Sequence, residues 1–287
     1  MIVVTGASGQ LGRLVIQELL KSVPASGLVA AVRSPEKVAD LAELGVQVRQ
    51  ADYEKPGALE AAFANADKVL LISASEVGKR LAQHRNVIDA AKKVGVPLLG
   101  YTSILRADST PLPLKEHYQT EILLAESGIP HVILRNGWYT ENYALSIPAA
   151  LQYGVVMGCA DDGRISSAAR ADYAVAAAKV MLRDDQAGKV YELAGDEAYN
   201  LSEFAAEIAR QSGKDISYQN IPEADYTEVL KGAGLPGALA TLLAESDTGA
   251  SKGGLFDDSH TLSRLIGRPT TSMAEVIKQA LAQQRAG

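Results

Sequence analysis

The hydrophobic positions of this chain fall into short unbroken runs separated by stretches of helical periodicity. Ile2 to Thr5 is apolar and β-branched, and Leu28 to Val32, Val46 to Gln50, Lys68 to Ile72, Val96 to Tyr101 and Pro130 to Leu134 repeat that character. Runs of this length, bounded by turn residues, read as strands buried on both faces. Between them Leu14 to Leu20, Lys37 to Leu44, Pro56 to Ala64, Val77 to Val94 and Lys115 to Ser127 are patterned as helices. Pro35 opens the second of these, and Gly45, Gly95 and Gly128 stand where helices should end. Proline near helix starts and glycine past helix ends is the asymmetry that backbone sterics impose. Strands alternating with helices predict an α/β fold, a Rossmann-type doubly wound parallel sheet covered on both faces.

Past about Trp138 the alternation loosens. Glu141 to Tyr153 and Arg170 to Leu182 look helical, and Val190 to Leu193 returns a strand to the sheet. Asn200 with Glu203 three residues on resembles a capping box ahead of Phe204. Ile216 to Gln219 reads as a short strand, and Pro222 to Leu230, Leu235 to Leu243 and Met273 to Ala282 as helices. The organisation expected is a nucleotide-binding domain over 1–138, with its returning strand near 189–195. A smaller C-terminal α/β lobe, on the substrate side, takes 139–165 and 196–287. The glycine-rich stretch from Thr248 to Phe256, with Asp257 and Asp258, reads as an exposed loop, either solvated or a lid.

The densest chemistry follows the first strand. Gly6-Ala7-Ser8-Gly9-Gln10-Leu11-Gly12 sets three glycines at three-residue spacing between a strand and a helix. A helix start offers unpaired N–H groups and the positive end of a dipole to an anion. The glycines serve tight turning, close backbone approach to a pyrophosphate, and close helix–strand packing. Ligands of such sheets lie beyond the carboxyl ends of the strands, which directs attention to residues 6–12, 33, 52–53, 73–75, 102–103 and 136–142. The second strand ends in Arg33-Ser34, where an NAD site would place a carboxylate for the ribose hydroxyls. A guanidinium forks onto a 2′-phosphate instead, so the expected cofactor is NADP(H). Asp52 is placed either to accept from the adenine amino group or to cap the next helix, with Tyr53 as a ring contact.

Composition removes other classes. The 287 residues are 47% hydrophobic and 22% charged with a net charge of −6, and no Lys/Arg cluster suggests a nucleic-acid surface. No apolar run approaches the roughly 20 residues of a membrane helix, and a strand starting at residue 2 leaves no room for a signal peptide. The single Cys159 excludes an intramolecular disulfide, fits a reducing cytoplasm and reads as structural. His84, His117, His131 and His260 lack zinc-type neighbours, so no metal is expected. There is no Gly-x-Ser-x-Gly elbow, and Gly12 is not followed by the Lys-Ser of a triphosphate loop.

The glycine loop, Arg33, the stretch Asn136-Gly-Trp-Tyr-Thr-Glu-Asn142, the Lys252 to Ser259 loop and the tail Thr261 to Pro269 together resemble the NmrA-like atypical short-chain dehydrogenases, over essentially the whole chain. The resemblance is strongest to the bacterial NADPH-dependent quinone reductases of that family. It implies that NADPH is held by Gly6 to Gly12, by Arg33, by Ser73-Ala74-Ser75 and by Gly137, Trp138, Tyr139, Thr140, Glu141 and Asn142. Arg170 is a further candidate at the cofactor's edge. It implies also direct hydride transfer to a quinone without flavin or metal, with Asn142, Tyr139 and Trp138 facing nicotinamide and substrate. Thr140 departs from the serine associated with that segment and keeps a hydroxyl.

Ordinary short-chain dehydrogenases carry Tyr-x-x-x-Lys and a serine at the end of strand five. Here Ser103 and Tyr118 are suitably placed, but Ile122 occupies the lysine position. A phenol, with a reference pKa of about 10, is a poor base at neutral pH without such a cation. Alcohol oxidation is therefore disfavoured, whereas an electron-poor quinone needs chiefly to be positioned. Two rivals are a non-catalytic NADP(H) sensor that regulates a partner and a sugar or isoflavonoid-type reductase, which wants a stronger proton donor. The pattern fixes neither the quinone nor an oligomeric state.

Overall fold

In the computed structural model, which describes residues 1–286, the apolar runs become strands β1 (Ile2–Thr5), β2 (Leu28–Val32), β3 (Gln47–Gln50), β4 (Lys68–Leu71), β5 (Leu98–Ile104) and β6 (His131–Asn136). Three more follow: β7 (Val155–Gly158), β8 (Val190–Leu193) and β9 (Ser217–Asn220). One seven-stranded sheet runs in the order β3-β2-β1-β4-β5-β6-β8. The pairs β1–β2, β1–β4, β2–β3, β4–β5 and β5–β6 are parallel. Against β6, the bonds from Ile133 N to Lys189 O and from Gly137 N to Leu193 O advance in the same sense, so β8 is parallel too. The strand order reverses at β1 and β4, the switch point at which sheets of this kind bind ligands. The doubly wound fold read from the hydrophobic pattern is the fold observed.

Helices α1 (Gln10–Leu19), α2 (Ala39–Glu43), α3 (Pro56–Phe63), α4 (Arg80–Val94) and α5 (Lys115–Ser127) connect the first six strands. Then come α6 (Thr140–Ala144), α7 (Ile147–Tyr153), α8 (Arg170–Leu182), α9 (Leu201–Ser212), α10 (Glu223–Gly232), α11 (Gly237–Ser251), α12 (Thr261–Ile266) and α13 (Met273–Ala286). Two units are compact in themselves. The first comprises residues 1–107, 114–136 and 171–192, and the second 108–113, 137–170 and 193 onward.

In the first unit the inner strands β1, β2 and β5 are buried on both faces, as a parallel sheet requires. Val3, Val29, Ala31, Val69, Leu71, Leu99 and Tyr101 form one buried cluster with Leu59 and Phe63 of α3, Val87 and Ala91 of α4 and Leu124 of α5. On the other face the fit at α8 is tight. A Cβ at Gly100 would lie 2.9 Å from Met181 Sδ and 3.1 Å from Leu70 Cδ1.

In the second unit β7 and β9 form a two-stranded parallel sheet. Asn200 and Glu203 make the reciprocal capping box expected at α9, with both bonds at 2.9 Å. Three expectations need correction. The single helix expected over Glu141 to Tyr153 is two, α6 and α7; Pro148, in the first turn of α7, has no N–H with which to continue the earlier helix. The strand β7 and the helix α12 were not foreseen. And the stretch from Thr248 to Phe256 is not an exposed loop. Its first four residues end α11, and Gly249, Ala250, Gly254 and Leu255 are buried. Its glycines serve close packing: a Cβ on Gly249 would sit 2.5 Å from Leu112 Cδ2, and one on Gly254 2.8 Å from Gly249 O.

α11 also places a carboxylate in the interior of the second unit. Asp247 is 4% exposed and accepts from Tyr143 OH at 3.0 Å and Cys159 N at 3.1 Å. Burial pushes its carboxyl up to about 6, against the pull of those two donors. The Cys159 thiol, packed beside Ala244 O and Thr248, is pushed up to about 11 by burial. It is a structural thiol, not a nucleophile.

Two outcomes test this packing. A Cβ at residue 12 would lie 2.5 Å from Gly6 O and 2.8 Å from Ala7 Cα, both backbone atoms. Gly12→Ala should therefore cost about 1–3 kcal/mol of stability, as overpacking does, measured as a lowered urea midpoint; an unchanged midpoint would refute the close approach. The second concerns pH. Asp247 holds its proton in the folded state up to about 6 but loses it near 3.9 when unfolded. Its stabilising contribution is complete below about 4 and is lost as pH rises to 6. Asp247→Asn, whose amide can donate to Tyr143 and accept from Cys159 N, should remove that slope. Urea titrations at pH 4.5 and 7 decide it, and an identical slope in both proteins would assign it elsewhere.

Candidate functional site

The turn after β1 is built from backbone. Gly6 has φ of +58°, which glycine adopts without strain, and Gly9 N donates to Gly6 O at 2.9 Å. Gly9 is the N-cap of α1, with no side chain capping it and no acidic residue in the first turn. The helix's own bonding begins with Arg13 N donating to Gly9 O at 3.0 Å. The N–H groups of Gln10, Leu11 and Gly12 thus have no partner in the helix ladder. Ala7 and Leu11 are buried anchors, while Ser8, Gly9 and Gln10 are exposed. A Cβ on Gly9 would come within 3.2 Å of Gly6 O. A helix start with uncapped backbone donors behind the exposed turn Ser8-Gly9-Gln10 fits a pyrophosphate.

Beyond β2, the Arg33 side chain is 68% exposed and its Nη1 pairs with Glu76 Oε1 at 3.1 Å. A guanidinium so exposed can exchange that carboxylate for a phosphate. Asp52 serves its own turn, with Oδ1 accepting from Glu54 N at 3.0 Å. Tyr53 does not lie open to a ring ligand through its hydroxyl. That group shares a 2.5 Å bond with Thr5 Oγ1 and donates to Ile72 O at 2.8 Å, and burial raises its pKa.

The segment leaving β4 is held by side chains. Ile72 N donates to Thr5 Oγ1 at 3.1 Å, and Ser73 N to Thr102 Oγ1 at 2.9 Å. Ala74 N donates to His84 Nε2 at 2.9 Å, while Ala74 O accepts from Arg80 Nε at 2.6 Å. Since His84 Nε2 accepts, its proton is on Nδ1 and is donated to Thr120 Oγ1 at 2.9 Å; Thr120 in turn donates to Glu116 O. Burial, with Arg80 nearby, lowers the His84 pKa to about 3, so the ring stays neutral. Thr5, Thr102, Arg80 and His84 were not assigned roles from the sequence. The one available signal was that polar residues on otherwise apolar strands and helix faces need partners.

In the second unit, the segment after β6 is laid against Ala168: Thr140 N donates to Ala168 O at 3.0 Å, and Ala168 N to Trp138 O at 3.1 Å. Gly137 N donates to Leu193 O at 2.7 Å. Arg170 organises the side chains. Its Cζ lies 4.6 Å from the Tyr139 ring centroid, a cation–π contact, and its Nη2 donates to Asn142 Oδ1 at 3.5 Å. Its backbone N donates to both Glu141 oxygens at 2.9 and 3.1 Å, so Glu141 caps α8. Thr140 is turned inward, sharing a 2.7 Å bond with Ser167, which in turn bonds Tyr199 OH at 2.5 Å. Trp138, Tyr139, Asn142 and Arg170 remain as the group whose side chains are partly open.

The dehydrogenase pair is absent in substance. Ser103 donates to Glu121 Oε1 at 2.5 Å in a buried network. Arg135 clamps the same carboxylate from Nε at 3.0 Å and Nη2 at 2.7 Å, and reaches Glu192 from Nη1 at 2.8 Å. Tyr118 and Ile122 are each 41% exposed on α5. Ser103 is thus held in structure, and nothing at position 122 could activate a phenol.

The family model described as NAD(P)H-binding matches residues 6–182. Quinone oxidoreductase 2 of Escherichia coli (strain K12) is 59% identical over 278 residues, covering 96% of this chain and 97% of that protein. The crystal structure of an NADPH-dependent quinone oxidoreductase from Escherichia coli, complexed with NADPH, is 58% identical with a TM-score of 0.96, covering 98% of this chain and 100% of that one. An NmrA-like family domain-containing oxidoreductase of Aspergillus flavus is 26% identical over 294 residues, covering 98% of this chain and 95% of that protein. With its parallel sheet, glycine cradle and full-length likeness to these proteins, the chain belongs to the NAD(P)H-binding family, among its NmrA-like oxidoreductases.

Proposed function

We propose that this protein is an NADPH-dependent quinone reductase. The observation that carries the reading is the likeness, over nearly the whole of both chains, to a quinone oxidoreductase whose structure holds NADPH. NADPH, when bound, supplies the hydride that reduces the quinone directly. In the first unit, the N–H groups of Gln10, Leu11 and Gly12 bind the pyrophosphate and Arg33 the 2′-phosphate. Ser73, Ala74 and Ser75 carry the cofactor's middle, and Asp52 stands on the adenine side. In the second unit, Gly137 to Asn142 and Arg170 take the nicotinamide end. With its Oδ1 turned to Arg170, Asn142 presents its amide N–H groups to a carbonyl oxygen. Tyr139, backed by the guanidinium, and Trp138 supply flat apolar surface for a planar ring. The regulatory alternative is disfavoured by the same likeness to enzymes. No helix among the described residues is long and apolar enough to cross a membrane. A single buried thiol suits the cytoplasm.

Arg33 chooses the cofactor. A charge-assisted hydrogen bond contributes about 1.5–3 kcal/mol, and about 1.4 kcal/mol is tenfold in affinity. Arg33→Ala should weaken NADPH by about one to two orders of magnitude while leaving NADH nearly unchanged, read by fluorescence titration. Equal losses for both cofactors would mean that Arg33 acts through the fold.

Turnover separates the roles of Asn142 and Tyr118. Asn142→Ala should lower kcat more than it weakens NADPH binding, because the loss falls on alignment. Tyr118→Phe should cost well under the factor of about 100 expected of a lost general acid–base. Deuterium at the transferable position of NADPH should slow single-turnover quinone reduction. A fully active Asn142→Ala enzyme beside an inactive Tyr118→Phe enzyme would restore the ordinary dehydrogenase mechanism.

A further inference from the structure

Where β4 leaves the sheet, the backbone groups of three successive residues are bonded by side chains rather than by a neighbouring strand. Thr5 takes Ile72 N, Tyr53 supplies Ile72 O, Thr102 takes Ser73 N, His84 takes Ala74 N and Arg80 supplies Ala74 O. The donors and acceptors come from β1, the turn after β3, β5 and α4, all within the first unit. Four of the five side chains are buried, with His84 at 0% and Arg80 at 6% exposed. The His84 ring is set edge-on to Tyr101, with centroids 5.3 Å apart, and anchored at its far nitrogen by Thr120. Arg80 is anchored by Glu116 at 3.5 Å. Fully buried polar groups on a helix are costly unless each is bonded. Here each gives one bond to Ala74 in the same partly open turn and another to α5, at Thr120 or Glu116, a more particular arrangement than core packing requires. Ser73, Ala74 and Ser75 are left partly or wholly open on its outer side.

We propose that His84 and Arg80 are positioning residues for the cofactor: they fix the backbone of Ala74, and with it Ser73 and Ser75, in the one conformation that NADPH binds. The inference rests on the reading that 73–75 is a cofactor segment. With His84 removed, Ala74 N–H has no acceptor, the turn gains alternative conformations, and the binding-competent fraction falls. Apparent affinity falls in proportion to that fraction.

The test uses the full-length protein and NADPH titration. His84→Leu keeps an apolar body and removes the acceptor; it should raise the NADPH Kd about tenfold. The quinone KM and the kcat at saturating NADPH should stay within about twofold. His84→Gln, whose Oε1 reaches the place of Nε2, should recover affinity to within about threefold of the parent. Thr102→Val, which keeps the shape and removes the acceptor for Ser73 N, should weaken NADPH in the same selective way and serves where His84→Leu does not fold. An NADPH Kd within twofold of the parent in the Leu and Val variants would overturn the proposal. So would a Gln variant as weak as the Leu variant, since that would assign the loss to packing. Ser75→Trp separates the two readings. If it leaves NADPH affinity unchanged, the segment does not touch the cofactor and both readings fall. If it weakens NADPH while His84→Leu and Thr102→Val do not, only the positioning role falls.

Discussion

The carboxyl edge of the sheet depends on how closely the backbone at Gly12 approaches that at Gly6 and Ala7. The space where a Cβ would stand at Gly12 lies 2.5 Å from Gly6 O and 2.8 Å from Ala7 Cα. That contact draws the first turn of α1 down onto the end of β1 and fixes Gly9 as an N-cap without a capping side chain. The comparison with α9 is instructive, because there the chain spends Asn200 and Glu203 on satisfying the helix start internally. The same sequence thus closes one helix N-terminus and leaves the other open. An open start is unstable in isolation and useful to an anion.

Polar burial near the same edge follows a related logic. Ser103, Glu121, Arg135 and Glu192 join three strands and a helix through charge-assisted bonds of 2.5 to 3.0 Å. Removing one member of such a network strands the others and costs about 3–5 kcal/mol. The serine that would polarise a carbonyl in an ordinary dehydrogenase is therefore an element of stability here. A chemistry that asks for little acid–base help is compatible with that exchange of role; one that asks for much is not.

Much of the first unit was legible because its signals are local. Strand runs, glycine helix ends and the glycine turn each sit within a few residues, and every predicted strand of the sheet falls within a few residues of its observed bounds. The role proposed for Arg33 comes from the residue type missing from its place. The roles of Thr5, Tyr53, Thr102 and His84 were not, because each depends on which distant strand lies alongside, and that is decided by topology. β7 escaped notice since four apolar residues after a helix carry no period of their own; only pairing with β9 makes them a strand. Gly249 and Gly254 were misread for a different reason. Small residues permit either freedom or close contact, and only the neighbours, Leu112 and Pro111, decide which. Asp247 carried no signal of its own, lying beyond the expected helix end at Leu243, and only the fold buries it.

The pair between Arg33 and Glu76 has a consequence for how a nucleotide arrives. Arg33 stands after β2 and Glu76 after β4, so the pair joins segments that follow the two strands flanking β1. In the site proposed above, a 2′-phosphate at Arg33 would exchange one anion for another rather than charge an empty pocket. Glu76 is not stranded by the exchange, because Lys79 Nζ already lies 3.6 Å from its other oxygen. Ionic strength weakens the incoming and the outgoing pair together. On that proposal, recognition of the phosphate would be buffered against salt, and discrimination between phosphorylated and plain dinucleotides would rest on the geometry of the fork more than on bare charge.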